Sequence, residues 1–237
     1  MDYSKKMLAK IKIKQIDWII LINIFLIIAS LIIFEKSNID LDLQKYFFDF
    51  ESKKWIVDQY EPIKRFWFYN FPKILLGVII AVSLFVLILK YKERPPYYKS
   101  LLIFFLGVTL IPLTAGNIKK FTNVYCPNDL AIYDGKNPYV KVLEPYPKDF
   151  HQINKGLCFP AGHAITGFCL MILFFIFEKK SWKIFGLTLA ILTGWILGLY
   201  QMAKGVHFFS HTFIAMLCSF LVAALIFKFS NKSKDRN

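Results

Sequence analysis

A chain of 237 residues is the length of one ordinary domain, and 56% of it is hydrophobic, with 25 phenylalanines. These residues fall in long unbroken runs instead of alternating with polar ones, which excludes an ordinary soluble protein. The net charge of +14 does not indicate a nucleic-acid partner, because the lysines cluster beside the apolar runs, where they act as topology signals and meet anionic headgroups.

Six segments approach the ~20 apolar residues that a spanning helix needs. In chain order they are Trp18–Phe34, Phe71–Leu89, Leu101–Ala115 (running on toward Lys119), Pro160–Phe177, Trp182–Leu199 and Phe209–Phe227. The first follows a basic start, but no small-residue cleavage site follows it, so it reads as a retained anchor. Basic residues flank four regions: Lys5, Lys6, Lys10, Lys12 and Lys14; Lys90, Lys92, Arg94 and Lys99; Lys179, Lys180 and Lys183; Lys228, Lys232, Lys234 and Arg236. The positive-inside rule puts all four on the cytoplasmic side. The predicted fold is all-α: a six-span transmembrane bundle, one domain over residues 1–237, with both termini cytoplasmic. In the first outer connection Leu43, Tyr46, Phe47 and Phe50 recur at helical spacing. They predict a short amphipathic helix, lying in the membrane interface or packed on the bundle.

The polar residues gather on the other side. His151, His163, His207 and His211 are the only histidines. All fall in, or at the mouth of, the second and third outer connections, together with Lys119, Lys120 and Lys204. Pro160 suits the first position of a helix, which puts His163 inside the first turn of a span. An ionisable residue there is costly unless it has a function. The free amides of that turn form an anion site, so a histidine among lysines suits phosphate. His207 and His211 are four apart and share one helix face. That spacing also suits a metal, but no Glu or Asp lies between 179 and 234 to supply a third ligand. Phosphoryl transfer therefore ranks above a metal-dependent membrane hydrolase.

Three short blocks resemble the type 2 phosphatidic acid phosphatase superfamily, whose motifs read K-x6-R-P, P-S-G-H and S-R-x5-H-x3-D. Here Lys119 precedes Cys126 and Pro127 by six intervening residues. Pro160, Ala161, Gly162 and His163 form the second block, and Tyr200, Gln201, His207 and His211 the third. The resemblance implies that His207 attacks phosphorus and forms a phosphohistidine. It implies that His163 protonates the leaving oxygen and then activates water, with Lys119 and Gly162 holding phosphate. No metal or other cofactor is implied. Cys126 stands for the family's Arg, Ala161 for Ser, Tyr200 and Gln201 for Ser-Arg, and His211 for Asp. Two planar bidentate donors are thus missing. Lys204, three residues after Gln201, is expected on the same helical face as a replacement cation. A neutral His211 would accept a hydrogen bond from His207 and set its tautomer.

The implied function is a membrane phosphatase acting on a phosphorylated lipid at the outer, periplasmic face of a cell inner membrane. The bilayer is the other partner; neither nucleic acid nor a protein partner is implied. The alternatives are a phosphotransferase between lipids and a catalytically degenerate protein that binds or transports lipid phosphates. Cys126 and Cys158 lie outside, each beside a block. A disulfide between them would draw the first two blocks together if the outside is a periplasm; two unlinked thiols are the alternative. Cys169 and Cys218 read as small core residues.

Overall fold

A computed structural model of the chain describes residues 2–232, with side chains described for 15–231. The chain is mostly helical, because long apolar runs away from water must satisfy their backbone groups within the segment. The order is α1 (Asp2–Lys36), a short α2 (Ile39–Gln44), an antiparallel hairpin of β1 (Phe48–Asp49) and β2 (Lys54–Trp55), α3 (Pro62–Arg65), α4 (Phe71–Leu89), α5 (Tyr98–Thr122), α6 (Gly162–Phe168), α7 (Ile172–Ile176), α8 (Lys180–Ala203) and α9 (Phe209–Lys232). A π-helical turn, Phe66–Asn70, joins α3 to α4, and a 3-10 turn, Cys169–Met171, joins α6 to α7.

Five stretches are long and apolar enough to cross a membrane: Gln15–Lys36, Pro62–Leu89, Tyr98–Asp129, Lys180–Ala203 and Phe209–Asn231. The fourth expected segment is shorter, Gly162–Ile176. At a rise of ~1.5 Å per residue it reaches about 22 Å, against a hydrocarbon core of ~30 Å.

Close helix approach holds the bundle together. On α8 a small residue recurs every fourth position, at Gly186, Ala190, Gly194 and Gly198. A Cβ on Gly194 would run into the Phe168 ring of α6. Such stripes let backbones meet closely where both sides are apolar. Val108, Ile111, Ile165, Phe168 and Ile172 form the buried centre, while Phe25, Val82, Phe85 and Ile88 face outward. Outward apolar surface of this extent marks a membrane-facing belt.

The bundle has two poles. At one, Lys228 pairs with Asp17 at 2.5 Å, and Lys99 donates to Asn231 at 2.6 Å, so the end of α9 lies beside the start of the apolar stretch Gln15–Lys36 of α1 and the start of α5. At the other, the Asp40 carboxylate accepts from the Ser210 amide at 2.8 Å and its hydroxyl at 2.5 Å. This ties α2 to the start of α9. Burial holds the Asp40 carboxyl above its usual range despite those bonds.

Two expectations are corrected. The helix in the first outer connection stops at Gln44, and the chain turns into the hairpin. Tyr46 and Phe50 of the expected stripe are exposed, while Gln44 and Phe48 are buried. The cause is tertiary. The Gln44 side-chain amide donates to the Met202 carbonyl at 2.8 Å, and the Val57 amide to the Ala203 carbonyl at 3.2 Å. The connection thereby satisfies carbonyls that α8 leaves free at its C-terminus. Pro160 does not open the fourth helix. Ala161 is its N-cap, and the Ala161 amide donates to the His211 carbonyl at 3.0 Å, which keeps the chain extended past Pro160. The third segment runs on through Pro112 to Thr122. Among the topology signals, Lys234 and Arg236 lie outside the described residues, as do the side chains of Lys5, Lys6, Lys10, Lys12, Lys14 and Lys232.

Candidate active site

The three blocks are tied to one another pairwise. The Thr122 hydroxyl at the end of α5 donates to the Phe159 carbonyl at 2.7 Å, joining the first block to the second. The Ala161 amide on the His211 carbonyl joins the second to the third. The Asn128 amide donates to the Gly205 carbonyl at 2.8 Å, joining the first to the third. A disulfide links Cys126 to Cys158, with Cα atoms 5.1 Å apart.

The turn that carries His207 follows from one residue. Gly205 has φ +75, its amide donates to the Met202 carbonyl at 2.9 Å, and the Val206 amide donates to the Gln201 carbonyl at 2.8 Å. This pair of bonds is a Schellman close to α8. It reverses the chain directly before His207. Gly205→Ala should cost about 1–2 kcal/mol for the left-handed backbone alone, and its Cβ would enter the Trp55 indole. The expected result is a lower melting temperature together with lost phosphate release. Wild-type turnover by this variant would show that the turn does not position His207.

His163, His207 and His211 are all buried, at 8%, 3% and 2% exposure. His207 does not lie on a helix face with His211, because α9 begins only at Phe209. The two rings sit 5.8 Å apart at 62°, and among the described residues no hydrogen bond joins them. The expected His207 to His211 bond is therefore not formed. Instead His207 Nδ1 lies 3.3 Å from the Cys158 sulfur. His211 is boxed edge-on by Phe159 and Phe208 at 5.2 and 5.4 Å, and its Nδ1 has no partner. Burial, then the charge of Lys119, then His211, His163 and Lys204 hold the His207 ring well below the usual imidazole range. It is neutral at neutral pH.

The His163 ring stacks on Tyr69 at 4.3 Å and 9°. Pro72 has no amide hydrogen, so the carbonyl four residues before it, Phe68, is left without its helical donor. The Phe68 and Tyr69 backbone groups lie close to the His163 ring, whose Nε2 has no partner among the described residues. The Lys119 amine lies 3.3 Å from where a Cβ on Gly162 would stand. The Lys204 amine lies 4.8 Å from the Tyr69 ring centre and 5.4 Å from that of Tyr200. Burial, then Arg65 and Lys73, lower the pKa of Lys204. Gln201, in the place of the family's Arg, is buried with both amide atoms unpartnered.

The structure therefore gathers His163, His207, Lys119, Lys204 and Gly162 at one pole, with His211 packed behind them. His151 and Lys120 are exposed. Tyr69 and Lys73 join this group without any signal from the three blocks. The third metal donor that the sequence lacked is present in space: the Cys158 sulfur and nitrogens of His207 and His211 lie within 4.8 Å of one another. Bonded to Cys126, Cys158 has no thiolate to offer. Two histidines then remain, beside the charges of Lys119 and Lys204.

The family model described as the PAP2 superfamily matches residues 100–235, a stretch that contains all three blocks. Neither a curated protein nor a solved structure matches the chain.

Proposed function

The chain belongs to the PAP2 superfamily, the type 2 phosphatidic acid phosphatases, and from that premise we propose that it hydrolyses a phosphate monoester or diphosphate on a membrane lipid through a phosphohistidine on His207. The observation that carries this reading is the convergence of two neutral-capable histidines and two lysines at one pole. Among the described residues no carboxylate lies within 4 Å of Lys119 or Lys204. Cations without counter-charges suit a dianionic phosphoryl group.

In this reading the His207 proton sits on Nδ1, facing the Cys158 sulfur, and the Nε2 lone pair attacks phosphorus. The P–O bond breaks as His163, which the bound phosphoryl dianion lets take up a proton, gives its Nε2 proton to the leaving oxygen. His163, now neutral, takes a proton from water, and that water displaces His207 from phosphorus. Lys119, Lys204 and the Gly162 amide hold the equatorial oxygens. His211 serves as packing behind His207.

Topology supports an outer, interfacial site. The Asp17–Lys228 contact sets the start of the apolar stretch Gln15–Lys36 beside the end of α9, which fits an even number of crossings; Gly162–Ile176 as the sixth meets that. Lys90, Lys92, Arg94 and Lys179 to Lys183 then mark the cytoplasmic side, opposite the histidines. Near the site Phe66 and Trp67 are exposed, as in an aromatic interface belt.

The test is inorganic phosphate release by purified protein from a panel of lipid phosphates and diphosphates, with and without chelator. Release unaffected by chelator is expected. Loss with chelator, restored by zinc, would replace this mechanism with a metal site on His207 and His211. Binding of lipid phosphates without release would favour a degenerate binding protein.

A further inference from the structure

The missing arginines leave the phosphate site short of cations, and the segment before α4 holds one that the blocks do not account for. The Lys73 amine lies 3.8 Å from the centre of the Tyr69 ring. That ring stacks on His163 and also carries the Lys204 amine at 4.8 Å. Lys73 is within electrostatic reach of Lys119, His163 and Lys204 alike. We infer that Lys73 is a phosphate-binding residue of this site, replacing an arginine absent from the blocks, with Tyr69 as the surface that holds it toward His163. The inference rests on the phosphatase reading for the identity of the ligand.

The local sequence explains the placement. The π-turn at Phe66–Asn70 shifts the register of the helix, and such turns recur at functional sites. Pro72 frees a carbonyl at Phe68 toward His163. Lys73 follows directly, in the first turn of α4. Lysines at this depth of a span ordinarily extend to the membrane surface and anchor the helix. Lys73 is an exposed residue, yet its amine turns onto an aromatic ring that touches a site histidine. Among the described residues no carboxylate pairs with it. Lys73 and Lys204 beside His163, with Lys119 in reach of Lys73, repel one another unless an anion lies between them, and a cation stacked on tyrosine keeps its donors available.

The experiment uses the full-length protein in detergent and measures inorganic phosphate binding alongside kcat and KM. Lys73→Ala is expected to weaken phosphate binding and to lower kcat/KM on the order of 10- to 100-fold, as for a lost hydrogen bond to a charged group. Lys73→Arg should retain or exceed wild-type binding, because a guanidinium forks onto two phosphate oxygens. Lys90→Ala, at the far end of α4 and paired with Glu93, should match wild type. Lys73→Ala within twofold of wild type in both measurements would overturn the inference and make Lys73 a membrane anchor. If wild type binds phosphate without turnover, the phosphatase reading fails while loss of binding in Lys73→Ala still upholds this residue. If wild type binds no phosphate, both fall.

Discussion

His207→Ala should lower phosphate release on the order of 10³-fold or more, because the variant has no group to accept the phosphoryl. The same residue sets the acid limit of activity. Attack needs the neutral ring, and burial with Lys119 nearby holds its pKa well below the ordinary 6.5. Wild-type kcat should therefore persist at pH 6 and fall only at lower pH, where His207 gains its proton. The sign for stability is the same. The unfolded chain protonates this histidine below about pH 6.5 while the folded chain does not, so wild type loses stability on acidification through that value. His207→Ala should lose less. An acid limb centred at 6.5 in wild type, or near-normal turnover in the variant, would remove His207 from the nucleophile position.

His163→Ala should lower turnover of an alkyl phosphate by about 10²- to 10⁴-fold, the range for losing a general acid and base. The loss should divide between two steps. With an aryl phosphate, whose leaving oxygen needs no proton, the first step should recover. The second should not, because water still lacks its base. His163→Ala should thus accumulate phosphoenzyme where His207→Ala forms none. Equal losses on both substrates, with no phosphoenzyme, would mean that His163 only supports the packing of Tyr69.

The helices and the three blocks were legible because each has a local signature. Long apolar runs declare helices that pass from one pole to the other. Lys119, His163 and His207 were found through three blocks whose order and spacing resemble the family's, and they meet at one pole. What failed was inference from spacing without knowledge of where a helix begins. His207 and His211 share a face only if one helix holds both, and α9 starts between them. The Schellman turn had a signal in Gly205, a glycine just past an apolar helix. The stripe at Leu43 to Phe50 matched a helix, but Gln44 and Phe48 are claimed by α8 and by Trp55 and Tyr133. A period cannot report contacts made with residues 158 positions away. Tyr69, Lys73 and the closeness of Cys158 to His207 likewise depend on segments that only the folded chain brings together.

The histidine assignment is tested most directly by trapping the intermediate. Purified protein is mixed in excess with a lipid phosphate carrying a radioactive phosphoryl group and quenched in alkali, which preserves a phosphoramidate. Wild type should carry label that survives alkali and is released by acid, mapping to His207; His207→Ala should carry none, and His163→Ala more than wild type. Label on His211, or phosphate release by wild type with no labelled protein at any time, would contradict it.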